Sequence, residues 1–245
     1  MKRSLAPDPF NAIANHPNVR AGLGGSGELD LTTLVRDPAN FCLLTPNEDG
    51  AYILQRLQIG LYSAHTLAMP SARGRPMLQL MREGFAWLFT ATDAIEIVTT
   101  VPDGADKASR WADAAGFVEM FRRERCVDQL GVLVGGSFRR LAYADWVLQS
   151  PVCRAMGERF HALDAVPVDH EDDPVHDRWV GATVLGCMNG NVLKAVGLYN
   201  RWAVVAGYAQ ADVLSTTPPL VDIGSAVIGL AQGELEVLAA RSAPH

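Results

Sequence analysis

The stretch PSARGRPMLQLMREGFAWLF, Pro70 to Phe89, puts two arginines and a glycine into a turn just ahead of a helix striped with apolar residues. This is the chemistry of anion binding. The first turn of a helix leaves N–H groups unpaired and carries the positive end of the helix dipole. A guanidinium beside it adds paired donors for a phosphate. Arg73, Gly74 and Arg75 are the candidate phosphate-gripping residues. Pro76 works against them, because its nitrogen has no hydrogen to donate, although it fits the first helical turn well.

Other constellations carry less. GLGGSG at 22–27 matches G-x-G-x-x-G, but NHPNVRA before it forms no strand. No acidic residue stands about 20 positions on, so a glycine turn is expected rather than a dinucleotide site. His161, His170 and His176 lie around the acidic run Asp169, Glu171, Asp172, Asp173 without H-E-x-x-H or EF-hand spacing. That run reads as a solvated loop, and no metal site is expected. No G-x-S-x-G elbow is present. The four cysteines, Cys42, Cys126, Cys153 and Cys187, show no C-x-x-C spacing and read as free, mostly buried thiols in a reducing compartment.

The elements that must position the Arg/Gly turn follow from periodicity. Met77, Leu80, Met81, Phe85, Leu88 and Phe89 recur every three or four residues and form one helical stripe from Pro76 on. YILQRL (52–57) and IGLYSAHTLAM (59–69) are strands before it, and AIEIVTTV (94–101) is a strand after it. A helix over 105–115 ends at Gly116. FVEMFRRE and LGVLVGGSF are two further strands, with Gly135 and Gly136 marking a bulge or bend. Beyond Leu141 the chain turns helical: YADWVLQ, a helix capped by Ser150-Pro151, one starting at Asp173-Pro174, and VLKAVGLYNRWAVVAGY ending at Gly207. The last two should form an antiparallel pair, and a β-hairpin around 231–233 should close the chain. The fold class is α+β: a mixed sheet with flanking helices over 1–141, then a smaller helical and hairpin region over 142–245.

With 245 residues, 49% apolar and 20% charged, the chain suits one large domain or two small ones. A net charge of −6 argues against a general nucleic-acid binder, although Arg122, Arg123, Arg125, Arg139 and Arg140 cluster locally. No apolar run approaches the ~18 residues of a membrane span, and MKRSLAPDPFNAI has no secretory apolar core.

The order helices, strand, Arg/Gly turn, amphipathic helix, strand, helix, Gly-Phe, strand, strand resembles the GNAT acyltransferase fold. LYSAHTLAMPSARGRP resembles that family's splayed strand and pyrophosphate turn, and ADKASRWADAAGF its following helix. More narrowly, HPNV, VRDPANF, AHTLAMPSARGR and FAWLFTATD are similar to the GNAT-like proteins of tailed-phage structural gene blocks. The resemblance implies acetyl-CoA as cofactor, its pantetheine arm along the strand backbone at Leu67 and Met69 and its pyrophosphate at Arg73, Gly74 and Arg75. It implies His65 or Glu96 as general base. Against the family pattern, Pro76 and Leu78 replace small residues of the turn. Ala105 takes a position usually Asn, and Ala112 that of the acid Tyr. Ser109 and Tyr62 are the remaining groups that could substitute.

Two functions follow from the resemblance. The degenerate motif favours a non-catalytic structural or interaction component of a virion or its assembly, with other virion proteins as partners, located in the host cytoplasm or the particle. Tyr199, Trp202 and Tyr208 would offer an interface for it, and self-association stays open. The alternative is an acetyl-CoA-dependent N-acetyltransferase acting on a protein or small-molecule amine.

Overall fold

The computed structural model describes residues 2–129, 132–162, 173–208 and 210–211. The described residues divide into two compact units, one of those up to 89 with those of 93–146, the other of 90–92 with those from 147 on.

The first unit is a seven-stranded mixed sheet. Its strands are β1 (Lys2–Arg3), β2 (Phe41–Leu44), β3 (Gly50–Gln58), β4 (Leu61–Ala68), β5 (Glu96–Pro102), β6 (Val118–Gln129) and β7 (Val132–Ala142), in the order β1-β2-β3-β4-β5-β7-β6. Each neighbouring pair is antiparallel except β4 and β5, which run parallel. A parallel pair needs a crossover, and α4 (Arg75–Ala91) supplies it. The stripe legible in the sequence is the buried face of α4: Met77, Leu80, Met81, Phe85, Leu88 and Phe89 are all core residues. Tyr52 of β3 meets Phe85 edge-on at 5.6 Å. Gly84 allows this approach, since a Cβ there would stand 2.9 Å from Leu43 Cδ1. Burying each such large side chain contributes about 1.5–3 kcal/mol.

Three short helices, α1 (Pro7–Asn15), α2 (Pro17–Arg20) and α3 (Thr32–Arg36), form a second core with the sheet. Phe10, Ile13, Val19 and Val35 pack there with Cys42, Leu44, Ala51, Ile53 and Leu67. α5 (Asp106–Ala114) leads through Gly116, at φ 89°, into β6. The turn before β4 and the loop before β5 are tied by Asp93. Its carboxylate accepts from Arg56 at 2.6 Å, from Tyr62 Oη at 2.8 Å and from the Gly60 N–H at 3.0 Å. Desolvation pushes the Asp93 carboxyl up, but those donors outweigh it and hold it below the usual carboxylate value.

Gly135 and Gly136 do not themselves bulge. The extra residues lie opposite, on β6, where the register jumps between Arg123 and Val127 and Arg125 takes φ 52°. Gly135 instead makes room for Asp103, whose Oδ2 would stand 2.1 Å from a Cβ there.

After α6 (Tyr143–Gln149), the second unit is built from α7 (Pro151–Ala162), α8 (Pro174–Met188) and α9 (Val192–Ala206). Ser150 Oγ accepts from Cys153 N at 3.3 Å and Asp173 Oδ1 from Val175 N at 2.8 Å, so both predicted caps form. α7 and α8 touch backbone to backbone, and a Cβ on Gly181 would lie 1.9 Å from Cys153 O. α8 and α9 are antiparallel, as contacts of Gly186 with Ala195 and of Trp179 with Trp202 (5.1 Å, stacked) require. Tyr199, Trp202 and Tyr208, expected as an interface, pack on His176 and Trp179 within this unit. Asn189, Asn191 and Lys194 hold Thr90 and Thr92 through bonds of 2.6–2.8 Å.

The expected hairpin around 231–233 and most of the acidic run at 169–173 lie outside the described residues. All four cysteines are free, with Cys42 and Cys153 buried and Cys126 and Cys187 half-buried. Burial pushes the Cys42 thiol up to about 11 and the Cys153 thiol up to about 12. Among the described residues no helix is long and apolar enough to cross a membrane.

Candidate active site

β4 and β5 pair over three positions only, Leu61 with Glu96, Tyr62 with Ile97 and Ser63 with Val98, and then part. In open sheets such an opening, beyond the carboxyl ends of parallel strands, is where ligands bind. Which backbone groups face it follows from the ladders. Met69 N donates to Asp49 O, so odd-numbered residues of β4 aim their backbone at β3. Glu96 N donates to Gly60 O and Asp103 N to Gly135 O, so even-numbered residues of β5 aim theirs at β4. Beyond the paired stretch, the N–H and C=O of Thr66, the N–H of Ala68 and both backbone groups of Thr100 therefore face the crevice.

This corrects the expectation for Leu67 and Met69 by one residue. Leu67 is buried in the core beneath α1–α3, and Met69 packs against that core. Alternation gives the crevice backbone to their neighbours Thr66 and Ala68.

The crevice leads to the Arg/Gly turn. Gly74 has φ 92°, a value that favours glycine, and nothing lies within 4 Å of where a Cβ would stand. The first α4 bond runs from Leu78 N to Gly74 O at 3.1 Å. That leaves the N–H groups of Gly74, Arg75 and Met77 without an intrahelical acceptor, while Pro76 supplies none. Arg75 is exposed. Arg73 is partly engaged already, donating from Nε to Ala68 O at 3.2 Å and from Nη2 to Asn18 O at 2.9 Å. Leu78 is only half-buried.

His65 stands on β4 two residues past the last paired position, its side chain exposed. Ser63 Oγ lies 3.2 Å from its Nε2. The ring reaches solvent, yet enough protein surrounds it that desolvation holds its pKa below the ordinary histidine value. The shift favours the neutral ring, the form of histidine that can take up a proton. Glu96 is on the same sheet face but at the closed end, opposite Leu61, with Arg140 Nη1 at 3.9 Å. Four residues of strand, about 13 Å, separate the His65 position from it. The structure does not bring the two together.

Ala105 precedes α5 without a side-chain cap, and Ala112 is buried against the core. Both expected substitutes are engaged elsewhere: Tyr62 Oη with Asp93, and Ser109 Oγ with Arg139 Nη2 at 2.7 Å. Arg139 is itself buried and paired with Asp113 at 2.5 Å, Arg122 pairs with Glu119 at 3.1 Å, and Arg123 lies over Phe121 and Phe138. Three of the cluster's five arginines, Arg122, Arg139 and Arg140, thus have a carboxylate within 4 Å. In GLGGSG the carbonyls of Leu23, Gly24, Gly25 and Gly27 accept from Arg20 at 2.7–3.2 Å. That loop offers acceptors to a cation, not donors to a phosphate. Among the described residues no three His, Cys, Asp or Glu come together as a metal site.

No family model matches the chain, and no curated protein matches it. Among solved structures, ribosomal-protein-S5-alanine acetyltransferase from Vibrio fischeri is similar with a TM-score of 0.48 at 14% identity, over 58% of this chain and 89% of that one. A mutant of spermidine N-acetyltransferase SpeG from Vibrio cholerae gives 0.46 at 13%, over 56% and 89%. The same enzyme in complex with CoA and spermine gives 0.42 at 15%, over 48% and 73%. At this overlap and identity no residue role passes from them to this chain.

Proposed function

We propose that the chain is an N-acyltransferase that uses acetyl-CoA, held in the β4–β5 crevice, to acylate an amine. The observation that carries this is the continuity of the crevice with the turn. Open main-chain groups of Thr66, Ala68 and Thr100 lead to the amides of Gly74, Arg75 and Met77. The first set matches the alternating amides of an extended arm, and the second, with the Arg75 guanidinium, matches a diphosphate. The residues fit the cofactor, with one donor fewer at Pro76.

When bound, acetyl-CoA supplies an acyl group activated as a thioester. His65 takes the proton from the attacking amine, and Ser63 orients its ring. No side chain at Ala112 supplies a proton to the departing sulfur, so transfer is slow where that proton must come from water. The test is titration calorimetry with acetyl-CoA, followed by thiol release over a panel of amines. Saturable binding and amine-dependent release are expected. No heat at high micromolar protein would end this reading.

A second reading is favoured by one observation: Pro76, Ala112 and the engaged Arg73 together remove donors that chemistry would use. A non-catalytic member of the same fold would bind acetyl-CoA without releasing thiol. The link of that reading to a virion rests on the sequence resemblance alone.

A further inference from the structure

β4 and β5 part at a point where one side chain takes up a ladder acceptor. In a parallel ladder the carbonyls of β4 accept in turn from β5: Gly60 O from Glu96 N, then Tyr62 O from Val98 N, then Ala64 O from Thr100 N. The first of these bonds is present at 3.0 Å. The pairing ends at Ser63 and Val98, one step before the third. Ala64 O accepts instead from Thr99 Oγ1, at 3.0 Å. The Thr99 hydroxyl thus stands at the vertex, where the next ladder bond would form. β5 is kept in the sheet on its other side, where Thr99 pairs with Arg139 and Thr100 with Phe138. β5 therefore keeps its ladder with β7 in register past the point where it leaves β4.

We propose that Thr99 is the wedge that keeps the crevice open, a positioning residue that leaves the Thr100 backbone free for a ligand. It touches no reacting group. By capping Ala64 O with its side chain, it stops the two strands from zipping one pair further and closing over Thr66 and Thr100. The ligand half of this inference rests on the acetyl-CoA reading; the wedge half does not.

The experiment compares the full chain with its Thr99→Val and Thr99→Ser variants by amide hydrogen exchange and by CoA titration. Thr99→Val keeps the shape and removes the hydroxyl, whereas Thr99→Ser keeps the hydroxyl. In Thr99→Val the Thr100 amide should exchange at least ten times more slowly, as it takes the vacated carbonyl, and CoA should bind about ten times more weakly. Thr99→Ser should match the parent in both. Unchanged Thr100 exchange in Thr99→Val would overturn the wedge and make the hydroxyl a mere filler of a carbonyl left by the splay. Should Thr99→Val fail to fold, Thr99→Ala is read in the same way. Slowed Thr100 exchange in Thr99→Val, alongside a parent that binds no CoA, would keep the wedge and end the acetyl-CoA reading.

Discussion

His65 differs from an ordinary surface histidine in two respects: a hydroxyl 3.2 Å from its ring and a pKa lowered by desolvation. The desolvation favours the neutral ring, and the hydroxyl fixes the ring's orientation. Replacing it with alanine should lower amine acylation by about 10²–10⁴ while leaving acetyl-CoA binding unchanged, as a loss of general base requires. The pH profile of the native protein should fall only below the ordinary histidine range, because protonation removes the base. The sign for stability is the same: the folded state disfavours the proton, so this contribution is full above the unfolded pKa of about 6.5 and is lost as pH falls. Asp93 is a structural counterpart. Its replacement by alanine removes the acceptor of Arg56, Tyr62 and Gly60, and should cost about 1–2 kcal/mol in urea unfolding, with the ion-pair part screened by solvent. The sequence made Gly74, Pro76, Ala105 and Ala112 legible, since each speaks through what its residue type lacks. It could not show that Arg73 reaches Asn18, or that Tyr62 and Ser109 are engaged, because those depend on partners distant along the chain.

Among the elements, the turn into α4 decides how well a diphosphate is held. Pro76 removes one of the four amides a helix start offers. Pro76→Ala restores it and should tighten acetyl-CoA binding by up to about tenfold, roughly 1.4 kcal/mol, in a calorimetric titration. In the second unit, Gly181→Ala would drive a methyl to 1.9 Å from Cys153 O, so α7 and α8 must separate. A loss of about 1–3 kcal/mol is expected in thermal unfolding of the full chain. The α4 stripe and the two strands around it were legible because their apolar periods are long and undisturbed. The β6 bulge was not. Of the glycines that signalled it, Gly135 makes room for Asp103 and Gly136 for Val127 and Thr100; the extra residues stand across from them on β6, and cross-strand register is not written in either strand alone. The one-residue error at Leu67 and Met69 has the same origin: periodicity marks a strand, but only its pairing with β3 shows which backbone groups are already taken.

At the scale of the whole molecule, a sheet with a single parallel junction places one opening next to one helix start, and the acetyl-CoA reading stands on that coincidence. The direct measurement is amide hydrogen exchange of the full chain with and without saturating acetyl-CoA. Exchange should slow at Thr66, Ala68, Thr100, Gly74, Arg75 and Met77 together, with the rest of the sheet unchanged. Binding that leaves those six amides at their free rates, or protects a different surface, would contradict the assignment of the crevice as the cofactor site.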